Sequence, residues 1–414
     1  MFMKLALQSL LDRKGSVVLS IMAMTISIFV LLSVEHIRHE VKESFSNTVS
    51  GVDLIVGTRT GSVNLLLHSV FRIGMPTNNI SWQSYEQIAS SSNVKWAIPI
   101  SLGDSHKGFR VLGTNQSYFQ HFSYGKQQAL RFAQGDEFDA VFDVVLGSIV
   151  AKKLGYQLGD SLTLAHGIAD TSFSRHDNLP FKVVGILAPT GTPVDQTLHV
   201  SLQGLEAIHL DWQQGVKISN NSLTQTDLEQ AALQPKSITA FMLGLKSKIA
   251  TFKVQRQINT YANEPLLAIL PGVALSELWQ MMSMLEKTLL LVSALVFVAA
   301  CLGVNAMLLS SIRERNREIQ LLRVAGAPPR FLFLLLELEA IVITLTSITL
   351  ASILLLMSLA LSQDYLVAQF GLHISGAIYS ERSVGILVAI LLTSCIAALI
   401  PSVYIYQKGI NVGG

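Results

Sequence analysis

The stretch from Ser311 to Ala340 reads SIRERNREIQLLRVAGAPPRFLFLLLELEA. An uncharged apolar run, Thr288 to Ile312, precedes it, and a second, Ala340 to Gln363, follows. Each exceeds the roughly 20 residues that a helix needs to cross a bilayer. Between them stand Arg313, Arg315, Arg317, Arg323 and Arg330. Short loops rich in Arg and Lys stay cytoplasmic. The stretch therefore reads as a basic cytoplasmic hinge between two membrane helices.

The hinge has a local structure that can be read. Glu314 with Arg317, and Arg315 with Glu318, are i,i+3 pairs that carry a helix into the cytosol. Gly326 can end it in a left-handed conformation. Pro328 or Pro329 can open the next helix, where a first-turn proline loses no hydrogen bond. On charge alone, a solvated connector obeying the positive-inside rule is the favoured reading over a docking element.

Working outward, Met1 to Lys14 forms an amphipathic segment, with Met3, Leu7, Leu10 and Leu11 on one face. Val17 to Val34 is an uncharged run behind Arg13-Lys14 and reads as a membrane helix entering from the cytoplasm. No membrane-length apolar run occurs from Glu35 to Lys287, so this part forms one large domain on the far side. Its expected elements are a solvated helical stalk after Glu35, a strand from Gly51, and a helix from Trp82 to Ser90 opened by Ser81. Strands follow at Val94 to Ile100 and Phe109 to Leu112, then strand and helix over Val144 to Leu154. Further strands are expected at Leu162 to Leu164, Phe181 to Leu187 and Ser237 to Leu245, with helices at Ser201 to His209 and Thr251 to Tyr261. Short strands mixed with helices make an α+β domain. The apolar part from Gly61 to Asn79 reads as a contact loop or a buried hairpin.

The expected organisation is thus four transmembrane helices with a large α+β extracytoplasmic domain between the first and second. Residues 1–15 form a cytoplasmic amphipathic helix and 16–35 the first span. The outer domain with its stalks occupies 36–287, the second span 288–312 and the hinge 313–330. The third span is 331–363, an external loop 364–382, the fourth span 383–406 and a cytoplasmic tail 407–414.

Composition agrees with this. Half the residues are hydrophobic and 14% are charged, low for a soluble chain of 414 residues. A net charge of +2 implies no nucleic-acid partner. Both cysteines, Cys301 and Cys395, fall in expected spans, so no disulfide framework or cysteine metal site is read. The chain has no Gly-x4-Gly-Lys-Ser/Thr loop, no His-Glu-x-x-His and no Gly-x-Ser-x-Gly. No cofactor site or catalytic residue is expected in this chain. Glu337 and Glu339 lie near the cytoplasmic start of the third span; snorkelling or pairing with hinge arginines is their expected state. In the outer domain, His166, His176, His199 and His209 are candidate metal ligands, set against the favoured reading of scattered surface histidines.

The hinge residues Arg-Glu-Arg-Asn-Arg-Glu-Ile, Leu-Leu-Arg-Val-Ala-Gly-Ala and Leu-Glu-Ala resemble the hallmark of FtsX-like permeases, the membrane subunits of MacB-type ABC transporters. Val145 to Asp160, VLGSIVAKKLGYQLGD, is similar to that family's outer-domain stretch, as is Phe181 to Leu187 with Gly191 to Asp195. The resemblance covers nearly the whole chain and implies a bacterial inner-membrane permease that is not itself an enzyme. ATP and Mg would sit on a partner ABC ATPase present in two copies, beside a second permease chain, identical or paralogous. Membrane lipid and a periplasmic protein or lipoprotein are further implied partners. Arg313, Glu314, Arg315, Arg317, Glu318, Ile319, Leu322, Arg323, Gly326 and Ala327 would form or shape the ATPase contact. The implied action is mechanotransmission, moving an envelope substrate such as lipoprotein, lipid, peptide or drug, with metal as a further theme. The alternatives are a non-transporting regulator of an envelope enzyme, whose outer domain is generally smaller, and a membrane sensor, which needs a cytoplasmic output module.

Overall fold

A computed structural model of the chain describes residues 8, 10–11, 13–76, 78–166, 179–209, 212–213, 216–217, 233–314, 328–370 and 377–411. The chain divides into two compact units. One comprises Met1–Val41, Met282–Asp364 and Ile374–Gly414; the other comprises Lys42–Met281 and Tyr365–His373.

The first unit is built on long helices: α1 (Lys14–Asn47), and, after the second unit's elements, α8 (Pro271–Glu314), α9 (Pro329–Phe370) and α10 (Glu381–Asn411). Each contains a stretch long and apolar enough to cross a membrane: Lys14–Glu43, Pro271–Ala306, Phe333–Gln363 and Glu381–Val403. α9 opens at Pro329, where the missing N–H costs nothing, and continues past Gln363 to Phe370. Met24 and Ile28 of α1, Phe297 and Cys301 of α8, Ala340 and Ile343 of α9 and Ile390 of α10 share one core. Small and hydroxylated residues fill the helix contacts: Thr344 bonds Ser394 at 2.6 Å, and Ser347 donates to the Ile21 carbonyl at 3.3 Å. Close backbone approach through such residues is how helices associate where lipid offers no hydrophobic drive. Leu289, Leu291, Leu295, Leu392 and Ile396 face outward.

The second unit is an α+β domain. Its helices are α2 (Ser62–Ser69), α3 (Trp82–Ala89), α4 (Ser117–His121), α5 (Ser148–Leu154), α6 (Leu202–His209) and α7 (Thr251–Asn259). Among the described residues eleven strands join one sheet. They are β1 (Leu54–Thr58), β2 (Val94–His106), β3 (Phe109–Thr114), β4 (Phe132–Gly135), β5 (Asp143–Leu146), β6 (Ser161–Leu162), β7 (Ala165–His166), β8 (Phe181–Leu187), β9 (Thr197–Ser201), β10 (Ala240–Leu245) and β11 (Leu266–Ile269). The order is β11-β1-β10-β2-β3-β9-β5-β8-β4, with β7 on β2 and β6 on β8. Most pairs are antiparallel; β9 with β3 and β8 with β5 are parallel. The β5–α5–β8 crossover supplies the helix that a parallel pair requires.

Central strands are apolar on both faces. In β10, Ala240 and Met242 enter one core with Ile55 and Ile98, while Phe241 and Leu243 enter another with Tyr85 and Val254. A strand covered on both faces reads as an unbroken apolar run rather than an alternation. Ser81 caps α3 by accepting from the Ser84 N–H at 3.2 Å, worth about 1 kcal/mol. Gly147, entering α5, admits no side chain: a Cβ there would stand 2.3 Å from the Val194 carbonyl oxygen and 2.4 Å from that of Asp195.

Three expectations are corrected. The Gly61–Asn79 part is neither hairpin nor loop at its start but the helix α2, whose Leu65 lies over Gly57 of β1, where any side chain would collide. The Ser237–Leu245 strand breaks at Thr239, which turns its N–H and hydroxyl to the Ile100 carbonyl. The stalk after Glu35 is not solvated throughout: Glu35, His36 and Glu40 are buried.

Candidate functional site

The hinge is bracketed by the ends of α8 and α9. Arg313 and Glu314 close α8, described by backbone alone, and Pro328 and Pro329 open the way into α9. Arg315, Arg317, Glu318, Ile319, Leu322, Arg323, Gly326 and Ala327 lie outside the described residues.

Beside that bracket, Glu339 of α9 accepts from Arg13 Nη2 at 2.8 Å, with the carboxylate side chain 1% exposed. Glu339 thus pairs with the residue just ahead of α1, while Arg315, Arg317 and Arg323, the hinge arginines that the sequence offers it, lie outside the described residues. Glu337 points elsewhere, toward Ser402 and Cys395 of α10. Residues two apart on a helix diverge by about 200°, so the two carboxylates serve different neighbours.

The stalk carries a second polar contact that the sequence reading missed. Arg38 of α1 donates Nε and Nη2 to Glu35 at 3.0 and 2.8 Å, and Nη1 to Glu286 of α8 at 3.3 Å. The Glu35/Arg38 spacing is an i,i+3 signature visible in sequence; the link to α8, spanning 248 positions, is not.

In the outer domain the four candidate histidines have different fates. His199 of β9 is fully buried, not on the surface: its Nδ1 lies 3.4 Å from the Val145 carbonyl and its ring packs on Tyr118. Burial drives it down to about 3, so it is neutral. His209 ends α6, with Nε2 3.4 Å from the Asp104 carboxylate. Burial opposes its charge, but hydrogen bonding to Asp104 and the charges of Asp104 and Glu206 prevail, and its pKa rises. His166 is the register partner of Asp104 in the β7–β2 pair, described by backbone alone, and His176 lies outside the described residues. No group of three or more His, Cys, Asp or Glu poised for a metal forms among the described residues.

Asp104 and His209 also line a cavity of about 220 Å³, with Asn79, Ser101, Glu206 and Thr239 among its walls. Lys236 reaches Glu206 at 3.6 Å from the rim. Carboxylates, an amide and hydroxyls give this cavity a polar character suited to a hydrogen-bonding ligand.

Comparison with known proteins places these features. The MacB-like periplasmic core domain family matches residues 17–261, and the FtsX-like permease C-terminal family matches residues 290–410. Among solved structures, the periplasmic region of MacB from Actinobacillus actinomycetemcomitans is similar at 11% identity and a TM-score of 0.36, covering 56% of this chain and 94% of that one. The extracellular domain of the noncanonic ABC-type transporter YknZ from Gram-positive bacteria is similar at 10% identity and a TM-score of 0.31, covering 53% and 98%. No curated protein matches. The first family match alone takes in more than half of the chain, and the second takes in the region of the hinge and the last spans; the chain belongs to the FtsX-like, MacB-type family of ABC transporter permeases.

Proposed function

We propose that this permease couples ATP hydrolysis on a separate ATPase to motion of its outer domain, by mechanotransmission. The observation that carries this reading is the pair of helices α1 and α8. They run unbroken for 34 and 44 residues, and the Arg38–Glu286 contact ties one to the other. At about 1.5 Å per residue they form rods of ~50 and ~65 Å, longer than the ~30 Å hydrocarbon core. A rod that outruns the membrane transmits displacement. Two ATPase copies carrying ATP and Mg, and a second permease chain, complete the assembly in the bacterial inner membrane, with the outer domain in the periplasm. The cargo is an envelope substrate handed to or from a periplasmic protein, lipoprotein or lipid.

The hinge is the ATPase contact in this reading. Arg313, Glu314, Arg315, Arg317, Glu318 and Arg323 supply polar contacts, Ile319 and Leu322 pack, and Gly326 with Ala327 turns the chain back. Arg315→Glu replaces attraction by repulsion, costing ~2–5 kcal/mol if the pair is desolvated. Gly326→Val opposes a left-handed turn. Each variant is purified in detergent with its ATPase, and hydrolysis-coupled activity is assayed in membranes. Loss of co-purification or of coupling, with normal insertion, supports the reading. Normal assembly and activity in both reduce the hinge to a connector.

A further inference from the structure

One edge of β2 is left open between β10 and β7. β10 pairs with β2 as far as Ala240 opposite Ile100, and β7 pairs with it from Asp104 onward. Residues 101–103 therefore have no strand on that side among the described residues, while β3 holds the other side. The cavity of about 220 Å³ lies at this gap. Ser237 and Thr239, on the segment that departs from β2, form one wall, and Asn79 donates its amide to Ser237 at 3.2 Å.

The backbone of β2 is irregular at the same place. Ile98, Ile100 and Leu102 enter one core with Ile55 and Met242. Strict alternation would send Asp104 to that face too. Instead the register slips between the Leu102–Leu112 and Ser105–Arg110 pairs, so that Gly103 and Asp104 together oppose Val111. A bulge of this kind re-aims the side chain it carries. Asp104 turns to the opposite face, which Ser101 shares with Leu202 and Leu205 of α6 over Gly113. There it meets His209 at 3.4 Å, with its own side chain 2% exposed.

The cavity is smaller than the roughly 300–1,000 Å³ of drug-sized sites and admits a small ligand. Two carboxylates, Asp104 and Glu206, face one imidazole, His209, across it. Its walls are thus net negative whether or not that ring is protonated. Lys236 reaches Glu206 only from the rim, at 3.6 Å and with its side chain 81% exposed, so water screens it. Leu202, Leu205 and Pro235 supply apolar wall. A buried negative site calls for a cation that also donates hydrogen bonds. A metal ion needs converging ligands, and no group of three or more His, Cys, Asp or Glu is poised for one among the described residues. We infer that this cavity binds a small aliphatic ammonium, its N–H groups held by Asp104 and Glu206 and its carbon chain lying on Leu202 and Leu205. The site is independent of the ATPase contact proposed above. A free amine and the amino terminus of a peptide carry the same chemistry.

The test uses the full chain in detergent at fixed pH, with sodium chloride holding ionic strength constant. n-Butylammonium is titrated, and hydrogen exchange is followed by mass spectrometry over residues 99–106 and 202–209. A ligand of the native state at about ten times its half-saturating concentration slows exchange through opening about tenfold. Saturable slowing of this kind is the expected result. Tetramethylammonium, a cation without N–H donors, should be much weaker; equal potency overturns the assignment. Trialanine and N-acetyl-trialanine separate the two sources. Slowing by trialanine but not by its acetylated form extends the site to peptide amino termini, and slowing by butylammonium alone confines it to free amines. Equal slowing by both peptides overturns the role of the ammonium. Asp104→Asn should abolish the response. Should that variant fail to fold, Glu206→Gln, on the partly exposed side of α6, must raise the half-saturating concentration severalfold. Wild-type exchange indifferent to butylammonium and trialanine alike overturns the assignment, as does an undiminished response in Asp104→Asn or in Glu206→Gln.

Discussion

Arg13 and Glu339 stand 326 positions apart in sequence and 2.8 Å apart in space. This contact ties the start of the first span to the third, next to the point where the hinge delivers the chain into α9. Removing one partner of a buried pair leaves an orphan charge, which costs ~3–5 kcal/mol. Glu339→Ala should therefore lower the unfolding midpoint of the detergent-purified chain markedly. Arg13→Ala with Glu339→Ala should recover part of the loss, because no orphan is left. A double variant as unstable as Glu339→Ala alone would show that the pair matters only through packing.

The stalk makes a related prediction with a different weighting. Glu35 is 5% exposed at its side chain, whereas Glu286 is 27% exposed. Arg38→Met leaves a buried carboxylate without its partner; Glu286→Gln removes only a partly screened contact. The first should cost ~1–3 kcal/mol and the second under ~1 kcal/mol. Coupled activity in membranes should follow the same order. Equal tolerance of both substitutions would remove the stalk contact from the transmission path.

Sequence reading succeeded where one local signal decides. The four spans are legible because uncharged runs of membrane length have no other use, and β8 at Phe181–Leu187 is legible as a short valine- and isoleucine-containing run, although only its burial, not its sequence FKVVGIL, alternates. It failed where tertiary context decides. β9, Thr197–Ser201, is a short run directly before α6 that pairs with distant strands, and β11 is four residues with no periodicity to show. His199 reads as a surface residue because histidine is polar; its burial comes from lying between β3 and β5 in the sheet, which only the strand order reveals. Arg13 and Arg38 were legible as charges, but their partners on distant helices were not.

The VLG of the outer-domain motif has a steric meaning that can be measured. Gly147 passes beneath the carbonyls of Val194 and Asp195, and backbone atoms cannot swing away as a flexible side chain would. Gly147→Ala should cost at least ~1–3 kcal/mol through overpacking. Thermal unfolding in detergent should show it, with amide exchange quickening first in residues 190–195. An unchanged midpoint would mean that the 190–195 loop shifts freely.

The last prediction concerns pH at the polar cavity. His209 faces Asp104 at 3.4 Å, with Glu206 adding to the attraction and Lys236 bound to Glu206 beyond it. Its folded pKa lies above the ordinary 6.5 despite burial, because the Asp104 hydrogen bond and the two negative charges favour the protonated ring. A raised folded pKa fixes the sign: the stabilisation is fully present below pH 6.5 and is lost as pH climbs through the folded value. The ring is 34% exposed, so solvent screens the pair and the effect stays under about 1 kcal/mol. The unfolding midpoint, scanned between pH 5.5 and 8.5, should fall more steeply on the alkaline side in the wild type than in His209→Gln. Asp104→Asn should flatten the slope in the same way while leaving a neutral hydrogen-bond partner in place. Identical slopes in all three proteins would show that His209 does not titrate against Asp104.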